Sequence, residues 1–240
     1  DFSSLRYTAE AVEGSFSFTV LSEQEQKRLE VQLLTDTDEK KLGLLLCLYA
    51  GLRIGEICAM RWECIDLCEK TLSVNVTMQR LQIAGAASGQ RTGVIESSPK
   101  SEDSRRTVPI ADFLIEQLLK RKPRLQSAYL LTGSEQDIEP RSYENYYKRV
   151  LSAAGIPICN FHTLRHTFAT RCIESGADAK TVSVLLGHST VRMTLDRYVH
   201  PTMNAKQASI NRMAMSRQID GQTSEAGQNP SSDRRKPRFS

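Results

Sequence analysis

The sequence predicts a mainly helical α+β domain with one small antiparallel sheet. Three observations carry that prediction. Capped segments with an apolar stripe recur along most of the chain, one stretch alternates polar and β-branched residues, and Gly or Pro stands at most expected boundaries. Residues 1–18 look extended and loop-like. Ser22 offers a cap and Glu23 and Glu25 an acidic first turn, so a helix is predicted over about 22–34. Thr37 or Asp38 caps a second helix through about Ala50, which Gly51 interrupts, and a short helix follows over about 54–61. Residues 71–79 (TLSVNVTMQ) alternate as one strand. The small residues of 84–93 suit a hairpin tip, 94–98 and 104–108 suit two further strands, and Lys100 falls between them.

Pro109 should end the sheet and lead into a helix with Phe113, Leu114, Leu118 and Leu119 on one stripe. After a short apolar strand or turn at 129–131, helices are predicted over 140–154, ending at Gly155, and 163–175, ending at Gly176. Asp178 caps a helix to Leu186, Ser189 caps one to about Arg197, and a last helix covers about 202–217. The Ser-, Gly-, Gln- and Pro-rich remainder, 219–240, is expected to be disordered.

Composition narrows the class. The 240 residues are 40% hydrophobic and 25% charged, as in a soluble globular protein. The longest wholly apolar run, Leu42 to Leu52, stops at Arg53 and is too short to span a bilayer, so no membrane partner is expected. The chain starts at Asp1 with no basic-then-apolar leader, which suggests a non-secreted fragment or processed form. Net charge is +4, but residues 1–40 hold nine acids against four bases, which leaves 28 bases against 19 acids elsewhere. Such a basic body permits a polyanionic partner. Six cysteines are an even number, yet their apolar or helix-like settings suit small buried hydrophobes in a reducing, cytoplasmic compartment. Cys64 and Cys68 lack a second pair or nearby His to complete a zinc set, so no metal is expected.

The chemistry-bearing residues cluster. All four histidines fall between His162 and His200, beside Arg165 and Tyr198. In FHTLRHTFATR, His162 and Arg165 are three apart at a helix start, so they share a face next to free N–H groups. In LLGHSTVRMTLDRYVH, His188 follows a helix end and Tyr198 closes the next helix, where an exposed, mobile Tyr could act as nucleophile. In AGLRIGE, Arg53 follows an apolar helix, and Glu56 lies where it could hold the guanidinium fork. In SSPKSEDSRRTVPI, Lys100 sits on a hairpin and could reach over a groove. Each motif alone also suits an ordinary surface residue, a snorkelling Arg, a turn Lys or a structural Tyr.

Together, AGLRIGE, PKSEDSRRTVP, HTLRHTFAT and LLGHSTVRMTLDRYVH occur in the order and spacing of the tyrosine recombinases, or phage integrase family. The chain resembles that family's catalytic domain from about residue 18 to about residue 201, with the integrases of conjugative transposons and phages the nearest in look. The resemblance implies a site-specific recombinase that cuts and rejoins DNA through a 3′-phosphotyrosyl intermediate, with no cofactor. It implies Tyr198 as nucleophile, Arg53 and Arg165 as the phosphate clamp, His188 as a further donor and Lys100 as general acid. His162 would help accept the tyrosine proton or hold the phosphate, while His166 and His200 are expected to be structural. Residues 1–17 would be the end of an interdomain linker, and 202–218 a C-terminal helix docking on a neighbouring subunit. The implied partners are double-stranded DNA attachment sites, a homotetramer on DNA and a directionality factor. A topoisomerase-like relaxing enzyme, a DNA-binding module that no longer cuts and a His/Cys metal hydrolase are the rival readings.

Overall fold

The computed structural model describes residues 19–82, 92–98 and 104–199, with five positions between 207 and 214. The expectations for the linker 1–17, for Lys100, for His200 and for the tail 219–240 lie outside the described residues. Most of the tip expected over 84–93 also lies outside them.

Local chemistry sets the first helices. The Ser22 hydroxyl accepts from Glu25 N, and the Glu25 carboxylate accepts from Ser22 N at 2.9 Å, so a reciprocal box starts α1 (Glu23–Leu33). Asp38 caps α2 (Glu39–Ala50), whose residues from Lys41 to Leu48 are all buried. It is the central helix, in contact with α1, α3, α4 and α6. Gly51 ends it in the left-handed region, at φ 63°.

Next come α3 (Ile54–Cys58), a single 3₁₀ turn at Trp62–Cys64 and five short strands: β1 (Ile65–Asp66), β2 (Thr71–Val74), β3 (Thr77–Gln82), β4 (Thr92–Ser97) and β5 (Arg106–Pro109). The helix expected over 54–61 stops at Cys58, and Arg61 bridges to Tyr129 instead. The strands form two antiparallel sheets rather than one: β1-β2-β5, and the hairpin β3-β4. The predicted strand 71–79 breaks after Val74, which pairs with Arg106 at the start of β5, so β2 pairs no further with β5 among the described residues. Asn75, a weak strand former, lies at that break. The hairpin is tied to the body by Arg80, which donates to Glu139 at 2.7 Å, and by the Tyr129 hydroxyl, which donates to Glu96.

The helices α4 (Asp112–Leu119), α5 (Pro140–Ala153), α6 (His162–Glu174), α7 (Ala179–Leu186) and α8 (Val191–Tyr198) complete the first unit. In α4 the buried stripe is Leu114, Ile115 and Leu118, while Phe113 and Leu119 turn outward; Phe113 lies edge-on against Tyr49. Thr190, not Ser189, occupies the cap position of α8. The main core joins Leu29, Leu45, Trp62, Leu72, Tyr143 and Leu164, and a smaller cluster joins Phe168, Ala169, Val182, Leu186 and Tyr198. All six cysteines are free thiols, with Cys47 and Cys58 buried. No helix among the described residues is long and apolar enough to cross a membrane.

The chain divides into two units, Asp1–Val199 and His200–Ser240. The five described positions of the second, Gln207, Ile210, Asn211, Met213 and Ala214, are helical and exposed. The rest of the helix expected over 202–217 lies outside the described residues.

Gly51 offers a test of this packing. A Cβ there would lie 2.5 Å from Phe168 and 2.9 Å from Leu186, in a backbone conformation that disfavours side chains. Gly51→Ala is expected to cost about 2–4 kcal/mol, from backbone strain plus overpacking, read as a lowered urea midpoint.

Candidate active site

The site is built on the C-terminal end of α7, where helix carbonyls lack partners within the helix. Three consecutive carbonyls there each accept from a different arginine. Leu185 O accepts from Arg106 Nε at 2.7 Å, Leu186 O from Arg165 Nη2, and Gly187 O from Arg53 Nη2 at 3.2 Å. The negative end of the helix dipole favours those cations.

Arg53 stands at the N-cap of α3, the position its place after Gly51 and Leu52 dictates. Glu56 accepts from Arg53 N at 2.8 Å and from its Nη1 at 2.7 Å, the forked hold that the three-residue spacing predicts. The same carboxylate accepts two bonds from Arg106, at 3.0 and 2.9 Å. Burial opposes ionisation of Glu56, but Arg106 and then Arg53 outweigh it, so its carboxyl stays below the usual range.

Arg165 is 4% exposed and also donates to Gly51 O at 2.7 Å, so carbonyls at the ends of α2 and α7 grip it from two sides. Burial and the nearby Arg53 pull its guanidinium down to about 9, still a cation at neutral pH. His188 follows the left-handed Gly187, and its Nδ1 lies 2.9 Å from the hydroxyl of fully buried Thr194. Burial, then Arg165 and Arg53, lower its pKa to about 4, so the ring is neutral. His162 opens α6 and is exposed as a residue, yet partial burial of its ring, then Arg165 and Arg53, also lower its pKa.

Tyr198 departs from the expectation of an exposed, mobile residue. It is 7% exposed, because its ring packs in the cluster of Phe168, Ala169, Val182 and Leu186. Its hydroxyl lies 2.7 Å from His166 Nδ1. Burial pushes its phenol up, while Arg165 and Arg197 oppose that shift. Thus His166, expected to be structural only, touches the candidate nucleophile. The structure draws Arg53, Arg165 and His188 to one helix end, and Arg165 acts electrostatically on both His162 and Tyr198. Lys100 lies outside the described residues, on the chain between β4 and β5.

Sequence reasoning missed Arg106 and Thr194. A signal for Arg106 existed: it alternates in phase with Val108 on β5, whose burial pattern makes both inward-facing. Thr194 gave none, being one polar residue on a helix rich in them. A cleft of about 370 Å³ opens beside His188, walled by Arg105, Arg106, Lys180, Ser189 and Thr190. A larger one, about 590 Å³, lies around Trp62, Cys64 and Lys122 and contains none of the clustered residues.

The half-buried His166 and His188 predict acid sensitivity. His166 and His188 fall from 6.5 to about 4 on folding, so between those values the unfolded chain binds more protons. Their contribution is complete above about pH 6.5 and is lost as pH falls toward 4. Denaturant titrations should show stability dropping by about 2–4 kcal/mol across that window, after allowance for partial exposure.

The fold has solved counterparts. The Tn1549 transposon integrase in complex with transposon right end DNA matches with a TM-score of 0.66 and 20% identity, over 85% of this chain and 69% of that one. The XerA recombinase crystal structure matches with a TM-score of 0.60 and 24% identity, over 85% and 66% of the two chains. This is the tyrosine recombinase catalytic fold.

The chain belongs to the phage integrase family, whose sequence profile matches residues 20–205. A tyrosine recombinase XerC-like protein of Caldanaerobacter subterraneus is 30% identical over 214 residues, covering 78% of this chain and 55% of that protein. The transposase from transposon Tn916 of Enterococcus faecalis is 26% identical over 230 residues, covering 83% and 52%. The chain therefore spans just over half the length of these relatives.

Proposed function

We propose that this chain is the catalytic part of a site-specific recombinase or integrase that cuts and rejoins duplex DNA. The observation that carries the reading is the arginine arrangement at the end of α7, where two fixed guanidinium groups, Arg53 and Arg165, stand beside a neutral His188. In this reading Tyr198 Oη attacks the scissile phosphorus and loses its proton. The phosphorus–5′-oxygen bond breaks, a 3′-phosphotyrosyl link remains, and Lys100 protonates the departing 5′-oxygen. Because a phosphoester replaces a phosphoester, a partner strand's 5′-hydroxyl reverses the step. Charge that grows on the non-bridging oxygens meets Arg53 and Arg165. When Thr194 donates to His188 Nδ1, the neutral ring carries its proton on Nε2 and offers it to the same oxygens. His162 helps to accept the tyrosine proton or hold the phosphate.

The partners in this proposal are double-stranded attachment sites, a homotetramer and a directionality factor, in the cytoplasm. The Tn1549 integrase structures with transposon DNA support the DNA partner. Residues 1–17 would end the linker from a DNA-binding domain, 18–201 carry the reaction, 202–218 dock on a neighbouring subunit and 219–240 form a tail.

The test is a duplex from the junction of the mobile element, nicked near the cleavage site so that the released end diffuses away. A denaturing gel should show a covalent protein–DNA adduct with EDTA present. Absence of the adduct, or its dependence on magnesium, overturns the proposal.

A further inference from the structure

We propose that His166 is a positioning residue for Tyr198, its Nδ1 accepting a hydrogen bond from the phenol and holding the ring beside Arg165; this rests on the recombinase reading. The contact is 2.7 Å, between adjacent helices α6 and α8, and the two ring centroids are 5.8 Å apart. His166 directly follows Arg165 in α6, so one turn of helix sets both the phosphate grip and the nucleophile's anchor. The Arg197 cation opposes the rise of the phenol's pKa, and in this proposal the phenol proton points at Nδ1, which leaves the His166 proton on Nε2. Burial, Arg197, His162 and Arg165 all disfavour imidazolium at His166, and with the ring neutral the Nδ1 lone pair stays available. The ring of Tyr198 packs against Phe168, Ala169, Val182 and Leu186, which are apolar contacts without direction, and the bond to His166 adds a polar anchor at the reacting oxygen.

The experiment compares His166→Asn with His166→Leu in the full chain. Asn carries its amide oxygen close to the Nδ1 position, whereas Leu fills the space with no acceptor. In the DNA-free protein, the Tyr198 13Cζ resonance should move in the Leu variant and hold in the Asn variant. On the nicked duplex, adduct formation should slow about tenfold with Leu and stay within about threefold with Asn, the span of one hydrogen bond, at unchanged DNA affinity. A resonance unmoved in both variants, or adduct rates that fall together or not at all, overturns the proposal. If the wild-type chain forms no adduct, the recombinase reading falls, and the resonance alone decides whether His166 anchors the phenol.

Discussion

Tyr198→Phe is expected to abolish the covalent adduct while leaving fold and DNA affinity in place. The substitution removes one oxygen atom. The ring keeps its contacts with Phe168, Ala169, Val182 and Leu186, so the small cluster stays filled. The loss to stability includes the hydrogen bond to His166, about 0.5–1.5 kcal/mol. Affinity for DNA rests on the cations and should change by less than about twofold, since no phosphate contact is removed. The loss of reaction, by contrast, is complete, because no other atom at the end of α8 can form the phosphoester. Denaturing gels read the adduct and fluorescence anisotropy reads the affinity. An adduct that persists in the Phe variant would move the nucleophile to another of the chain's seven tyrosines.

Glu56→Ala carries the largest expected loss of stability. Its carboxylate neutralises two guanidinium groups, and the Arg106 side chain is only 3% exposed. Removing it leaves Arg106 buried with the carbonyls of Leu185 and Ser104 as its remaining partners, and frees the fork of Arg53. Breaking a buried pair from one side costs about 3–5 kcal/mol, so the urea midpoint should fall sharply. Adduct formation should fall as well, because Arg53 loses its orientation. Adding Arg106→Met removes the stranded charge, so the double variant should regain part of the stability. A double variant no more stable than Glu56→Ala would show that the pair does not carry the effect.

How much of this was legible in the sequence depends on the range of the forces involved. The start of α1 was readable because Ser22 and Glu25 satisfy each other's backbone within four residues. The end of α2 was readable because Gly51 needs a positive φ. The grip of Glu56 on Arg53 followed from one helical turn. What failed was set across the chain. The strand 71–79 looks continuous by alternation, but its break depends on where β5, some 30 residues later, begins. Tyr198 was expected in solvent because it closes a helix, where a nucleophile can be mobile, and its burial arises only when α6 and α7 close over it. Arg106 was hidden for a related reason. Its alternation with Val108 points inward, but its charge argues for the outer face until its partner, Glu56, 50 residues away in sequence, is known.

The end of α7 has a consequence for how the site responds to its surroundings. Arg106, Arg165 and Arg53 hang on successive peptide units of a helix only eight residues long. Shifting that helix by a single residue would slip every one of those attachments together. The three cations therefore share one mechanical coordinate, and their substitutions should be strongly non-additive in mutant cycles.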